Sequence, residues 1–562
     1  VKIIELKVSN FRSLKGEDIK ISFEDTNIIF LLGQNNAGKS SFMEAYQYFV
    51  KSKQKASLKD FYNYDDNNSI VIEGKFLKED SDTTKFQDQG LEKWVCSDNF
   101  VRIKKEWAHA DKEAEKYTFN PANNEWIKNG FGGIDTIFSH HAPTPIKVPA
   151  MPSLDELKKW ASETLNKVVY SQLMKDEVET VSVLTKHIHK LQQELQQHDY
   201  TQKAILKANE NFAHVFPNLS LSIESNTEQI PDFSKLLEKK FDLCIEDTKL
   251  SGKTQPIESQ GDGVIRFAMF TILGLLKDIV GKTSDKKFIV LFEEPEIYLH
   301  PKKLFMLRQC LYGLCEDSAF QIICASHSPA LIDISKPHTS LIRMVKQVIS
   351  NNVFVYQVGD SLFQSDEEDN KNKVQMINRF NPHICEAFFA DEVILVEGDT
   401  EAIVFRELLD RMNCKKEIFV LNTGSKNNIP FFQTILSHFS IKQHIIHDLD
   451  DKFIRTKQGI EKKNSAWTLN EKIWELICKS NSLAKRYVFD KNFESAHDYE
   501  FDIEKGKPLS AWEWARDLDI KDTQMPCILF LNQILELSHI EQEFTMEELE
   551  AMSSNLLIPT SV

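Results

Sequence analysis

The chain has 562 residues, 41% hydrophobic and 27% charged, a length that calls for several domains and a composition ordinary for a globular protein. Its net charge of −16 argues against general coating of nucleic acid, while leaving room for a local basic groove. No apolar run approaches membrane-spanning length and no signal-peptide pattern stands out, so neither a membrane nor a secreted protein is expected; the nine cysteines, without C-x-x-C or pairing rhythm, read as reduced cytoplasmic thiols rather than a zinc site.

In chain order, Ile3 to Val8 alternates as a strand and is followed by Asn10-Phe11-Arg12-Ser13-Leu14; a second strand pattern spans Ile19 to Phe23. The apolar run Asn27 to Leu32 then leads into Gly33-Gln34-Asn35-Asn36-Ala37-Gly38-Lys39-Ser40, with a helical pattern from Ser41 to Tyr46. Strand, glycine turn and helix are the context in which G-x-x-x-x-G-K-[ST] is a phosphate site. Gly33, Asn36, Gly38, Lys39, Ser40 and Ser41 are therefore candidate nucleotide-binding residues. The glycines let backbone wrap an anion that the helix N-terminus attracts, Lys39 reaches the β- and γ-phosphates, and Ser40 takes Mg²⁺.

Ser69 to Phe76 reads as another strand, and Gly130 to Pro152, rich in Gly and Pro, as a boundary. From Ser153 to about Phe216 the pattern is helical, with Val181, Leu184, Ile188, Leu191 and Leu195 spaced like a short coiled-coil seam or an amphipathic core helix. Glu258-Ser259-Gln260-Gly261-Asp262-Gly263 opens an apolar helical stretch and offers Ser259 and Gly261 as a second anion cradle. The buried-strand run Phe288 to Phe292 ends in Glu293-Glu294-Pro295-Glu296. An acidic pair there suits Mg²⁺ binding by Glu293 and activation of water by Glu294. Phe320 to Ala325 ends in Ser326-His327-Ser328-Pro329, where His327 could reach a γ-phosphate or the attacking water.

In that order N-F-R-S, the phosphate loop, a helical insertion, S-x-G-x-G, E-E-P-E-x-x-L-H-P and S-H-S-P resemble the ABC-type ATPases of the RecF/SMC/OLD group over roughly residues 1 to 360. The resemblance implies ATP sandwiched between two heads, with Ser259 and Gly261 of one closing the site of the other, hence a homodimer or higher homo-oligomer. S-Q-G-D-G departs from the usual L-S-G-G-Q, and Glu293 stands where Asp is commoner; Asp60 and Gln47 are both candidates for a Q-loop residue.

After a polar stretch that reads as a linker, Glu392 to Val396 is a buried strand ending at Glu397-Gly398-Asp399-Thr400-Glu401. Glu417 to Leu421 precedes Thr423-Gly424-Ser425-Lys426, and Gln443 to His447 precedes Asp448-Leu449-Asp450-Asp451. Strands alternating with helices imply a parallel sheet with its ligands at the strand C-termini. Asp448 and Asp450, two apart, share a direction if the strand continues. Converging carboxylates repel unless a cation compensates, and oxygen-rich sites suit Mg²⁺ or Mn²⁺. This trio resembles the Toprim domain, and fused behind the ATPase it resembles the OLD (overcoming lysogenization defect) family of ATP-dependent nucleases, including Gabija-type and retron-associated phage-defence effectors. By that resemblance Glu397, Glu401, Asp448, Asp450 and Glu494 are metal ligands, Glu401 is also catalytic, and a downstream lysine, Lys507 or Lys505, stabilises developing charge.

The expected architecture is α/β: an ATPase head in two parts (1–150 and 218–360) around a helical insertion or dimerisation arm (151–217), a linker (361–388), and a Toprim nuclease domain with a helical tail (389–562). The expected function is cytoplasmic, ATP-controlled, metal-dependent cleavage of DNA in phage defence, with a defence-system partner protein or retron nucleic acid as a further partner. The alternative is an SMC/RecF-like DNA-binding scaffold ATPase with an inert Toprim domain.

Overall fold

The structure is a computed structural model. It describes residues 1–17, 19–23, 26–130, 141–148, 244–246, 254–256, 261, 263–265, 270, 287–316, 319–333, 336, 340–347, 349–357, 382–455, 461–537 and 543–555. By contact the chain divides into two units, Val1–Ala150 together with Asp285–Val562, and Met151–Ser284. Described in the second unit are a two-stranded antiparallel ladder, Cys244–Glu246 with Thr254–Pro256, and the helical turn that follows Gly261. The helical seam from Val181 to Leu195 and Ser259 lie outside the described residues.

The first unit begins with an antiparallel sheet of β1 (Lys2–Ser9), β2 (Ile19–Ser22), β4 (Ile70–Leu77), β5 (Phe100–Trp107), β6 (Glu115–Asn120) and β7 (Glu125–Lys128), in the order β2-β1-β4-β5-β6-β7. β4 alternates buried and half-exposed residues along its length, the mark of a sheet with one face on the core. Beside it lies the head's second sheet, built from β3 (Ile28–Leu32), β8 (Thr144–Val148), β11 (Phe288–Glu293), β12 (Phe320–Ala325), β13 (Leu341–Lys346) and β14 (Val353–Gln357). Its order is β14-β13-β3-β12-β11-β8, parallel except for β14. Central β3 and β12 are buried at every position, which is why they read as unbroken apolar runs rather than alternating ones. The Gly- and Pro-rich stretch expected as a boundary contains β8, which adds the edge strand beside β11. Pro145 is tolerated there because an edge strand can forgo one ladder donor.

The Toprim sheet is fully parallel: β15 (Glu392–Val396), β16 (Ile418–Asn422), β17 (Lys442–Asp448) and β20 (Ala484–Phe489), in the order β16-β15-β17-β20. Parallel pairing brings the C-terminal ends of β15, β17 and β20 together, and with them Glu397, Asp448 and the segment carrying Glu494. A short hairpin, β18 (Phe453–Arg455) with β19 (Glu461–Lys463), leaves the sheet just past the D-x-D. The tail helices pack as a cap, burying Cys527, Ile528, Phe530 and Leu531 in the same core as Phe405, Trp467 and Phe489.

Head and Toprim sheets meet at Arg343 on β13. Its side chain is 5% exposed and donates to the carbonyls of Phe439 (2.9 Å) and Ala390 (3.0 Å) and to Asp391 Oδ1 (3.1 Å). From the phosphate loop, Gln34 Nε2 donates to the other oxygen of Asp391 at 2.7 Å. Arg343→Met would strand the Phe439 and Ala390 carbonyls, each at a cost of about 1–3 kcal/mol, while half-exposed Asp391 keeps Gln34. The thermal midpoint should fall accordingly, and an unchanged midpoint would show the junction to be unimportant to stability.

Candidate active sites

The phosphate loop is shaped by what its glycines avoid. Gly33 has φ +134° and a Cβ there would sit 2.2 Å from the Met344 carbonyl oxygen; at Gly38, φ +99°, it would sit 2.5 Å from Leu14 Cδ2. Asn36 takes a left-handed φ of 66°, a conformation asparagine tolerates better than most residues. The helix Lys39–Val50 starts from this turn, with Ser40 exposed at its N-terminus and Ser41 Oγ 2.9 Å from Ser13 Oγ of the N-F-R-S segment. Lys39 is buried and folds back to donate to the carbonyls of Gly33 (2.7 Å) and Gln34 (3.0 Å). Burial pulls its pKa down to about 8 against the opposing pull of Glu294 and Glu296.

Glu293 closes β11 and lies 3.6 Å from Lys147 of β8, which also holds Glu44 at 2.8 Å. Glu294, just beyond the strand, adopts φ 43°, and its carboxylate is 3.9 Å from His327 Nε2. His327 has its pKa lowered, by burial first and then by the Lys39 charge. Glu294, Glu296 and His327 thus lie near enough to Lys39 of the phosphate loop to interact with its charge. Gly261 lies in the other unit. Of the two Q-loop candidates, Asp60 is 1% exposed and engaged by Ser57 and Arg12. It acts there as an anchor for Arg12, whose guanidinium also pairs with Glu44.

One residue of the head was passed over in the sequence. Glu296 Oε1 accepts from Ser326 Oγ and from the His327 backbone N–H, both at 2.8 Å, and its other oxygen is buried without a hydrogen-bond partner. It thus ties the E-E-P-E segment to the S-H-S-P segment and fixes where His327 stands. The available signal was the third acid of E-E-P-E facing a strand end that carries two small hydroxyls. Glu296→Ala should slow ATP turnover about tenfold or more while nucleotide binding changes little; equal loss of binding and turnover would contradict that positioning role.

In the Toprim domain Glu397 leaves β15, and Glu401 sits in the first turn of the helix Asp399–Arg411. A Cβ at Gly398 would lie 3.2 Å from Glu401 Oε2, so glycine leaves that carboxylate its room. Glu397 Oε1 accepts from the Asp448 N–H at 2.9 Å. β17 ends at Asp448, and Asp450 takes φ 60°, so strand alternation does not set the direction of Asp450. Glu494 opens the short helix Phe493–Ala496, and Lys507 is the first residue of the helix Lys507–Asp517. Lys505 is engaged with Glu513 at 2.8 Å, whereas Lys507 lies close enough to Glu401 to draw its pKa down.

The five carboxylates feel one another. Burial, then Glu397 and Glu401, push Asp448 up to about 8; burial first, with repulsion from Glu397 and Glu494, pushes Glu401 up to about 7; burial also raises Glu397. Among the described residues no three His, Cys, Asp or Glu side chains form a ready-made coordination sphere. The donor set nonetheless suits a hard divalent cation, because it is all oxygen and Asp448 Oδ1 is buried with no hydrogen-bond partner. Within the cluster stands Lys426, from the glycine turn after β16: its ammonium donates to Asp450 Oδ2 and to the Asp448 carbonyl, each at 2.5 Å, and is 3.9 Å from Glu397 Oε1. In sequence this lysine had only the look of a loop residue.

The folds and sites define an ATPase head followed by a Toprim domain. The AAA ATPase domain family profile matches residues 2–332, and that of the "Overcoming lysogenization defect protein-like, TOPRIM domain" matches residues 388–450. The chain belongs to the AAA ATPase domain family and carries an OLD-like Toprim domain behind it, a pairing that implies use of a nucleotide and a divalent metal. It is similar to the Old nuclease of Escherichia phage P2, at 24% identity over 482 residues, 80% of this chain and 77% of that protein. Endonuclease GajA of Bacillus cereus (strain VD045) is 23% identical over 493 residues, 82% of this chain and 77% of that protein. Among solved structures, an Smc head bound to the C-winged helix domain of ScpA aligns over 64% of this chain and 99% of that chain, at 13% identity and a TM-score of 0.37. Among the described residues no helix is long and apolar enough to cross a membrane.

The raised carboxyl groups fix a pH dependence. Glu401 and Asp448 hold protons in the fold where an unfolded chain has lost them, so their contribution to stability is complete below the ordinary carboxylate range and is lost as pH rises through about 7 and about 8. The metal-free midpoint of the wild type should therefore fall relative to that of Asp448→Asn between pH of about 5 and about 8.5. Mg²⁺ should raise the wild-type midpoint more at the alkaline end, because protons compete for its ligands. A wild-type and variant difference that does not change with pH would contradict the crowding described above.

Proposed function

We propose that this protein is an ATP-binding and ATP-hydrolysing, metal-dependent DNA endonuclease, acting in the cytoplasm in defence against phage and assembling through its heads as a homodimer or larger homo-oligomer. The observation that carries the reading is the electrostatic crowding of Glu397, Glu401, Asp448, Asp450 and Glu494 beyond the ends of parallel strands, opposed by the charges of Lys426 and Lys507. Crowding of this kind has a cost in stability that a purely structural sheet end would have no reason to carry. Similarity along most of the chain to proteins named Old nuclease and endonuclease GajA supports cleavage of nucleic acid.

A bound Mg²⁺ or Mn²⁺ would supply charge stabilisation and an activated water for in-line phosphodiester displacement. The residues that would hold and orient it are Glu397, Glu401, Asp448, Asp450 and Glu494 as ligands; Glu401 would also take a proton, and Lys507 would meet charge developing on the phosphate. In the head, Lys39 would exchange the Gly33 and Gln34 carbonyls for the β- and γ-phosphates of ATP. Ser40 and Glu293 would hold its Mg²⁺, and Glu294 and His327 would orient the attacking water. Ser259 and Gly261 from a second head would complete that site.

The test is incubation of supercoiled plasmid with Mg²⁺ or Mn²⁺, with and without ATP, using wild type and Lys39→Ala. Wild type should nick or linearise the plasmid, lose this activity in a chelator and change rate with ATP. Lys39→Ala should fail to bind ATP and cleave at a rate ATP does not alter. Absence of metal-dependent cleavage by the wild type under every condition would overturn the reading.

A further inference from the structure

The Lys426 side chain is 6% exposed, so its ammonium has little water to solvate it. Among the described residues its strong partners all belong to the cluster: Asp450 Oδ2 and the Asp448 carbonyl at 2.5 Å, and Glu397 Oε1 at 3.9 Å. The contact is built from below. Gly424 takes φ +73° to turn the chain after β16, Thr423 Oγ1 donates to the Val396 carbonyl of the neighbouring strand at 2.8 Å, and Asn428 Nδ2 donates to the Thr423 carbonyl at 2.8 Å. The turn is thus fastened to the strand that presents Glu397, and the lysine is delivered among the carboxylates rather than lying across a surface. Among the described residues Asp448 Oδ1 has no hydrogen-bond partner.

Resting on the metal-site reading above, we propose that Lys426 is the resident counter-ion of the Toprim cluster. Its ammonium neutralises Asp450 and Glu397 while the cluster lacks a divalent ion, and it must release them for that ion to bind, so it sets the metal affinity of the site. Two consequences follow from charge alone. Removing the lysine leaves partly buried carboxylates uncompensated, which weakens the metal-free fold. It also removes a positive charge lying within about 4 Å of the metal's ligands, which strengthens divalent binding about tenfold or more. A lysine that merely propped up the loop would weaken the fold and leave metal binding equal or poorer. Lys426 is therefore a positioning residue that acts through the ligands, and the two roles predict opposite changes in affinity.

The experiment uses the full chain carrying Lys39→Ala, which removes the nucleotide-bound ion of the head from the count. Mn²⁺ binding is followed by the paramagnetic signal of the free ion, and thermal midpoints are taken in chelator and in Mn²⁺. Adding Lys426→Met should lower the midpoint in chelator, tighten Mn²⁺ binding about tenfold, and let Mn²⁺ restore the midpoint to that of the parent. Lys426→Arg should keep the metal-free midpoint. Unchanged or weaker Mn²⁺ binding by Lys426→Met would overturn the proposal. If that variant does not fold, lysine acetylation read by mass spectrometry on the parent decides: Lys426 should be protected in chelator and labelled faster once Mn²⁺ is present, and labelling indifferent to Mn²⁺ would overturn the proposal. Asp448→Ala distinguishes the two levels of the argument. If it leaves Mn²⁺ binding as it was, the metal-site reading itself has failed; if it abolishes binding while Lys426→Met does not tighten it, only the role of Lys426 has.

Discussion

Repulsion among carboxylates gathered at the ends of parallel strands is the constraint around which the Toprim domain is arranged. β15 and β17 end side by side, and the acids that follow them cannot all ionise without a compensating positive charge. Lys426 reaches in from the turn after β16, and Lys507 approaches from the first turn of a later helix. The aromatic packing of Phe489, Phe493, His497 and Trp514 behind Glu494 holds one wall of the cluster. Burial gives these charges their leverage, since the same groups in water would interact weakly.

The head repeats the same economy with opposite sign. Where the Toprim site gathers anions to receive a cation, the phosphate loop gathers N–H groups and Lys39 to receive an anion, and in each case a buried lysine is satisfied by nearby oxygens in the structure. The two sites are also mechanically close. Asp391, bound by both Gln34 and Arg343, immediately precedes β15, and β15 runs directly to Glu397. A rearrangement of the phosphate loop therefore has a short, hydrogen-bonded path to one wall of the carboxylate cluster, while Arg343 keeps that path anchored in the head's own sheet.

Much of this was legible because buried parallel strands write themselves as unbroken apolar runs and end in chemistry. Phe320–Ala325 and Glu392–Val396 were readable to the residue, and the acids following the strands were readable as a group. Other features depended on three-dimensional neighbours that the sequence does not reveal. β8 was hidden in a Gly- and Pro-rich stretch because an edge strand needs neither alternation nor a full set of donors. The shared direction of Asp448 and Asp450 held only for a continued strand, and the sequence does not reveal that β17 ends at Asp448 and that Asp450 is itself left-handed. Lys426 and Glu296 escaped because their partners are far off in sequence or are backbone atoms, and isolated charged residues in loops are usually solvated. The coiled-coil seam and Ser259 fall outside the described residues, so the dimer-completing half of the nucleotide site rests on resemblance.

The central claim, that charge on the Toprim carboxylates drives phosphodiester hydrolysis while ATP is turned over by a different set of residues in the head, is tested most directly by measuring both activities on one preparation of Glu401→Gln. The substitution keeps the shape of the side chain and removes its charge. The account predicts that metal-dependent plasmid cleavage disappears while ATP turnover stays at the wild-type rate. Cleavage persisting at the wild-type rate would contradict it.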